Sequence, residues 1–111
     1  MCAEAIDTNP EVKRWIRNIE RSEYSFWLPL AEGRFFPDFI LELTNGKILV
    51  VEYKGANLYS NDDSRQKRRV GQVWEKASKG KCYFLMARDK DEAGRGVAAQ
   101  IQHKIDQILC D

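Results

Sequence analysis

Cysteine and histidine are scarce in this chain, and long apolar runs are missing. The three cysteines, Cys2, Cys82 and Cys110, are odd in number and widely spaced. They form neither a zinc-ligand pattern nor a disulfide framework, and as isolated residues they read as inert, which suits a reducing, cytoplasmic setting. His103 has no second histidine and no nucleophile beside it, so it is expected on the solvent side of a helix. No apolar stretch is long enough to cross a bilayer, and the N-terminus lacks the basic region and long apolar core of a secretion signal, so no membrane association is expected. A strong charge of one sign is absent as well. The net charge of +1 argues against bulk electrostatic binding of nucleic acid, because such binders are often strongly basic. There is no internal repeat and no low-complexity tract.

What is present is the composition of one globular domain. The 111 residues are 43% apolar and include three Trp, four Tyr and five Phe, enough for a single core over residues 1–111. Asn9 reads as an N-cap, with Pro10 in the first helical position. Val12, Trp15, Ile16 and Ile19 follow at three–four spacing, which predicts a first helix running to about residue 22. Strands are expected at 26–30, 34–43, 47–54 and 81–87. A second helix carries Val70, Val73, Trp74 and Ala77, capped by Asp63 or Ser64 and closed by Gly80; a terminal helix carries Val97, Ile101, Ile105, Ile108 and Leu109. The order is helix, three strands, helix, strand, helix. The middle strands are apolar on both faces, with Ile40, Ile48 and Val50 on one and Phe39, Leu41, Val51 and Tyr53 on the other. Such strands are covered on both sides, so the expected fold is α/β: a mixed central sheet with helices on each face. Trp15, Trp27 and Trp74 are expected in the core.

Charges interrupt these apolar strands at three places: Asp38 in Phe36-Pro37-Asp38-Phe39, and Glu52 and Lys54 in Val51-Glu52-Tyr53-Lys54-Gly55. Charged side chains in such runs are costly unless compensated. Glu52 and Lys54 are two apart and share a face. Whether Asp38 joins them depends on the hairpin loop. A two-residue loop, Asn45-Gly46, pairs Thr44 with Lys47 and turns Asp38 away. A three-residue loop, Thr44-Asn45-Gly46, pairs Leu43 with Lys47 and sets Asp38 opposite Glu52. The sequence allows both; the second is predicted, because it gathers charges that otherwise lack partners. Two adjacent carboxylates cannot both ionise cheaply without a cation, and hard oxygens favour Mg²⁺ or Mn²⁺, with the Tyr53 backbone carbonyl as a further oxygen. An ammonium beside a metal-bound water suits phosphodiester hydrolysis.

With these residues placed, the chain resembles the PD-(D/E)xK nuclease superfamily. Pro37-Asp38 matches the first half of the motif and Glu52-Tyr53-Lys54 the second, and the element order resembles that family's restriction-endonuclease-like αβββαβ core. The wording around both motifs, with Lys67-Arg68-Arg69-Val70-Gly71 and Trp74, is similar to the C-terminal nuclease domain of type III restriction subunits. The resemblance implies a Mg²⁺-dependent endonuclease acting on DNA in restriction and defence, with Asp38 and Glu52 as metal ligands and Lys54 as the catalytic lysine. It implies an additional acidic ligand from the first helix, for which Glu11 is the candidate and Glu20 the alternative. Arg65, Lys67, Arg68 and Arg69 follow the motif closely and are expected to contact phosphates, with Gln72 turned toward the site. The relatives carry a helicase-type ATPase ahead of this domain and work with a methyltransferase subunit. No phosphate-loop motif occurs here, so such partners would lie on another chain or segment, and a homodimer pairing two sites is one arrangement the resemblance allows. The competing expectation is a non-cleaving module of the same fold that binds or assembles within a DNA-processing complex.

Overall fold

A computed structural model describes residues 2–18, 25–55 and 61–110 of the chain. Helix α1 (Cys2–Asp7) is followed by strand β1 (Val12–Arg17), a short ribbon of β2 (Leu28–Pro29) and β3 (Arg34–Phe35), and then the hairpin β4 (Phe39–Leu43) and β5 (Ile48–Tyr53). Helix α2 (Asp62–Ala77), strand β6 (Cys82–Ala87) and helix α3 (Val97–Cys110) complete the chain. The main sheet has the order β1-β4-β5-β6; β1, β4 and β5 are antiparallel in succession, and β6 runs parallel to β5. The expected mixed α/β sheet is therefore present.

Helix α2 starts where local hydrogen bonding favours it. The Asn61 side chain, rather than Asp63 or Ser64, caps it by accepting the Ser64 N–H at 2.8 Å. Asp62 and Asp63 complement the helix dipole in the first turn. Lys79 and Gly80 then take positive φ angles of 55° and 85° to leave the helix, as the sequence reading of Gly80 anticipates.

The two faces of the sheet sort as the alternation predicts. Leu41, Leu43, Leu49 and Val51 pack with Ile6 of α1 and Ile101, Ile105 and Ile108 of α3. Val50, Phe84 and Met86 pack on the other face with Leu28 and Phe35, under Val70 and Trp74 of α2. That second layer is tight at one point. A β-carbon on Gly71 would stand 2.3 Å from the Phe84 ring, so α2 rests with its backbone on that ring. Gly71→Ala is expected to cost about 1–3 kcal/mol of overpacking, offset by about 1 kcal/mol of helix propensity. A net loss in urea unfolding would confirm the contact; a gain of about 1 kcal/mol, the helix propensity alone, would refute it.

Three further sequence readings are corrected. Residues 12–17 form an edge strand, not a helix; Ile19 lies outside the described residues. The predicted strand 34–43 breaks at the buried Pro37, which lacks the N–H a continuing ladder needs. Arg34 and Phe35 pair instead with Pro29 and Leu28. Trp27 is not in the core: it is 42% exposed, with the Arg34 guanidinium 4.6 Å from its ring centre. Trp15 and Trp74 are half-buried, packed against Phe39 and Phe26.

Candidate functional site

The β4–β5 hairpin takes the three-residue register. Phe39 pairs with Val51 and Leu41 with Leu49. The Leu43 N–H donates to the Lys47 carbonyl at 2.9 Å. Gly46 supplies the left-handed residue at φ 84°. Continued by one residue, this ladder puts Asp38 opposite Glu52 at the end of the sheet where β5 and β6 finish.

The two acids are fastened to each other's strands. The Asp38 N–H donates to Glu52 Oε1 at 3.0 Å. The Tyr53 N–H donates to Asp38 Oδ2 at 2.9 Å. Lys54 Nζ stands 3.4 Å from Glu52 Oε2, and the Lys54 N–H is tied to the Ala87 carbonyl at 2.9 Å. Glu52 is 4% exposed. Burial, and after it the Asp38 charge alongside, push the Glu52 carboxyl up to about 7. Lys54 and Lys67 pull it in the other direction. The ionised carboxyl is thus disfavoured by its surroundings, a penalty that a nearby cation relieves.

Lys67 belongs to the inner face of α2. Its side chain is 18% exposed, its Nζ lies 3.1 Å from Asp63, and it stands 5.1 Å from the centre of the Phe35 ring. The signal was available: Lys67, Val70 and Trp74 fall on one helical stripe. The other basic residues lie away from it on the helix. Arg65 is exposed and reaches toward Asp62 at 3.8 Å. Arg69 borders a groove with Val70 and Trp74. Arg68 and Gln72 flank β6, the Arg68 Nη1 lying 3.6 Å from Met86 Sδ. Lys67 thus stands apart from Arg65, Arg68 and Arg69, which at i, i+3 and i+4 share one side of the helix.

Glu11 is not brought to the pair. Because β1 is a strand antiparallel to β4, its start lies at the hairpin-turn end, where Glu11 accepts from the Thr44 hydroxyl at 3.2 Å. That is about 20 Å along the strand from Asp38. Glu20 lies outside the described residues. Among the described residues no three His, Cys, Asp or Glu side chains form a group that could hold a metal ion. The end of β1 does reach the site: the Asn18 N–H donates to the Asp38 carbonyl at 2.8 Å. On the opposite face a cleft of about 310 Å³ runs from Asp38 past Arg17 and Phe39 to Tyr53 and Asp89, the last two joined by a hydrogen bond from the Tyr53 hydroxyl. His103 is exposed, as expected. No described helix is long and apolar enough to cross a membrane.

Comparison of the chain with protein-family models, with curated proteins and with solved structures gives no match.

Proposed function

We propose that this chain is a metal-dependent endonuclease domain of the PD-(D/E)xK type that hydrolyses DNA phosphodiester bonds. The observation that carries the reading is the meeting of Asp38 and Glu52 at facing positions with Lys54 on the Glu52 carboxylate. The element order supports it. With the β2–β3 ribbon set aside, the chain runs helix, three strands, helix, strand, the order of a restriction-endonuclease-like core.

The donor set suits a hard divalent cation. Two carboxylates lie together, and the ionised form of one is disfavoured by burial and by the other's charge. Asp38 and Glu52 would hold Mg²⁺ or Mn²⁺, with the Tyr53 carbonyl as a further oxygen. When bound, such an ion supplies Lewis acidity and a more acidic water. The chain's own groups do the rest. The reciprocal N–H bonds fix both acids before substrate arrives, so no reorganisation is needed at the moment of reaction. The Lys54 ammonium, set on the same side as Glu52, donates to the attacking oxygen and to the charge developing on the phosphate. Lys67 adds a second positive charge beneath the site. A role in restriction, alongside an ATPase or methyltransferase on other chains or segments, belongs to the same reading.

The test is nicking of supercoiled plasmid by the wild-type chain with Mg²⁺ and with a chelator. Nicking only with metal is the expected result. A second reading, a non-cleaving module of the same fold, is favoured by one observation: two acids rather than three converge among the described residues. No nicking, together with no Mn²⁺ binding by calorimetry, would establish that reading instead.

A further inference from the structure

The outer edge of β6 has its N–H groups shielded at every residue but one. In a parallel pair, alternate residues turn both backbone groups toward the partner strand. The Lys54 N–H donates to Ala87 and the Ile48 N–H to Lys81. Odd-numbered residues of β6 therefore serve β5, and even-numbered ones face outward. The Cys82 N–H meets Ser78 Oγ at 3.0 Å. The Phe84 N–H meets Glu75 Oε1 at 2.8 Å. Just past the strand, the Arg88 N–H meets Gln100 Oε1 at 3.0 Å. Met86 is the exception. Among the described residues nothing accepts from its N–H, although the residue is only 5% exposed. A backbone donor with no acceptor in the protein, on the wall of a cleft, is open to a ligand that supplies one.

The surroundings decide the charge of that acceptor. Two clefts, of about 240 and 280 Å³, share Leu85, Met86 and Lys104 as walls. One also carries Arg68 and Gln72; the other carries Arg88 and Arg95. The cations lining the clefts outnumber the two carboxylates, Glu75 being paired with Lys104 at 3.0 Å and Asp91 with Arg95 at 2.6 Å. A backbone N–H on the wall of a cleft that also carries a guanidinium and an ammonium is a donor set for a phosphate oxygen. The location also fits. Met86 is the register partner of Glu52 across the parallel pair, about 4.8 Å away between strands.

We propose that the gap at Met86 is a phosphate subsite for a nucleic-acid strand crossing the β5–β6 end of the sheet, with the Met86 N–H, Arg68 and Lys104 as its donors. This rests on the nuclease reading and extends it from the scissile position to a neighbouring phosphate. Binding is read without chemistry, in chelator, by amide NMR of the full chain. A short DNA duplex is expected to shift the Met86 amide, and inorganic phosphate at equal phosphate concentration to shift it less. Arg68→Gln is expected to weaken duplex binding about tenfold and to lower the slope of log affinity against log salt by about one. Arg68→Lys should retain that slope, which a merely structural role for Arg68 would not predict. A silent Met86 amide while DNA shifts other residues, or an unchanged slope in Arg68→Gln, would overturn the proposal. So would saturation by inorganic phosphate with no response to DNA. A responsive Met86 amide in a chain that never nicks plasmid would sink the nuclease reading and leave the subsite standing; nicking with a silent amide would do the reverse.

Discussion

Lys54→Ala is expected to abolish measurable plasmid nicking while leaving the fold intact. Removing one preorganised donor from developing charge costs on the order of 10²–10³ in rate. The fold should survive because Lys54 lies just past the end of β5 and its backbone bond to Ala87 does not involve the side chain. The lost ion pair has a further effect that separates the variant from an unfolded one. Lys54 is one of the charges that hold the Glu52 carboxyl down against burial, so without it Glu52 should titrate still higher. Retained nicking in a folded Lys54→Ala chain would remove Lys54 from the chemistry, whatever the carboxyl does.

The metal-free protein should become less stable as pH rises, through the Glu52 carboxyl. Its value rises from an ordinary 4.5 to about 7 on folding, chiefly through burial and then through Asp38. Between those limits the folded chain holds a proton that the unfolded chain has released. Unfolding is therefore favoured progressively as pH climbs through this window, by about 3 kcal/mol once both states are ionised. Below the window both states are protonated and the cost vanishes. Glu52→Gln keeps an oxygen to accept the Asp38 N–H and should flatten the profile, leaving the variant more stable than wild type above neutrality. Mg²⁺ or Mn²⁺ should also flatten it, by giving the ionised pair a counter-charge. Urea midpoints across the window measure all three. A wild-type profile that is level, or that slopes the other way, would refute the coupling.

The hairpin was legible because two independent signals agreed. Thr44-Asn45-Gly46 offered a glycine for the left-handed residue, and only that loop placed Asp38 across from Glu52. The two-faced apolar pattern of β4 and β5 was equally plain, because both strands are interior to the sheet and every side chain meets a neighbour. Strand β1 was misread for a definite reason. A register shift between Val12 and Arg14 inserts one residue, so the inward positions are Val12 and Trp15, three apart. A bulged edge strand then carries a helix's spacing, and Asn9-Pro10 supplied a matching start. That misreading carried Glu11 with it, since a helix would have aimed it at the site and a strand takes it to the far end. The inward turn of Lys67 was legible in its spacing with Val70 and Trp74, but grouping four basic residues as one run passed over it, since consecutive helix positions point in different directions.

The crossed tethers between Asp38 and the β5 backbone, and between Glu52 and the chain entering β4, have a consequence for how this centre can change over time. Losing either acid strips an amide of its acceptor as well as removing a charge, so the first loss harms the scaffold and not only the chemistry. Descendants should therefore tend to keep both or to replace both with residues that still accept those amides, such as asparagine and glutamine. A lineage that gave up cleavage would be expected to retain the outline of the centre long after its activity had gone.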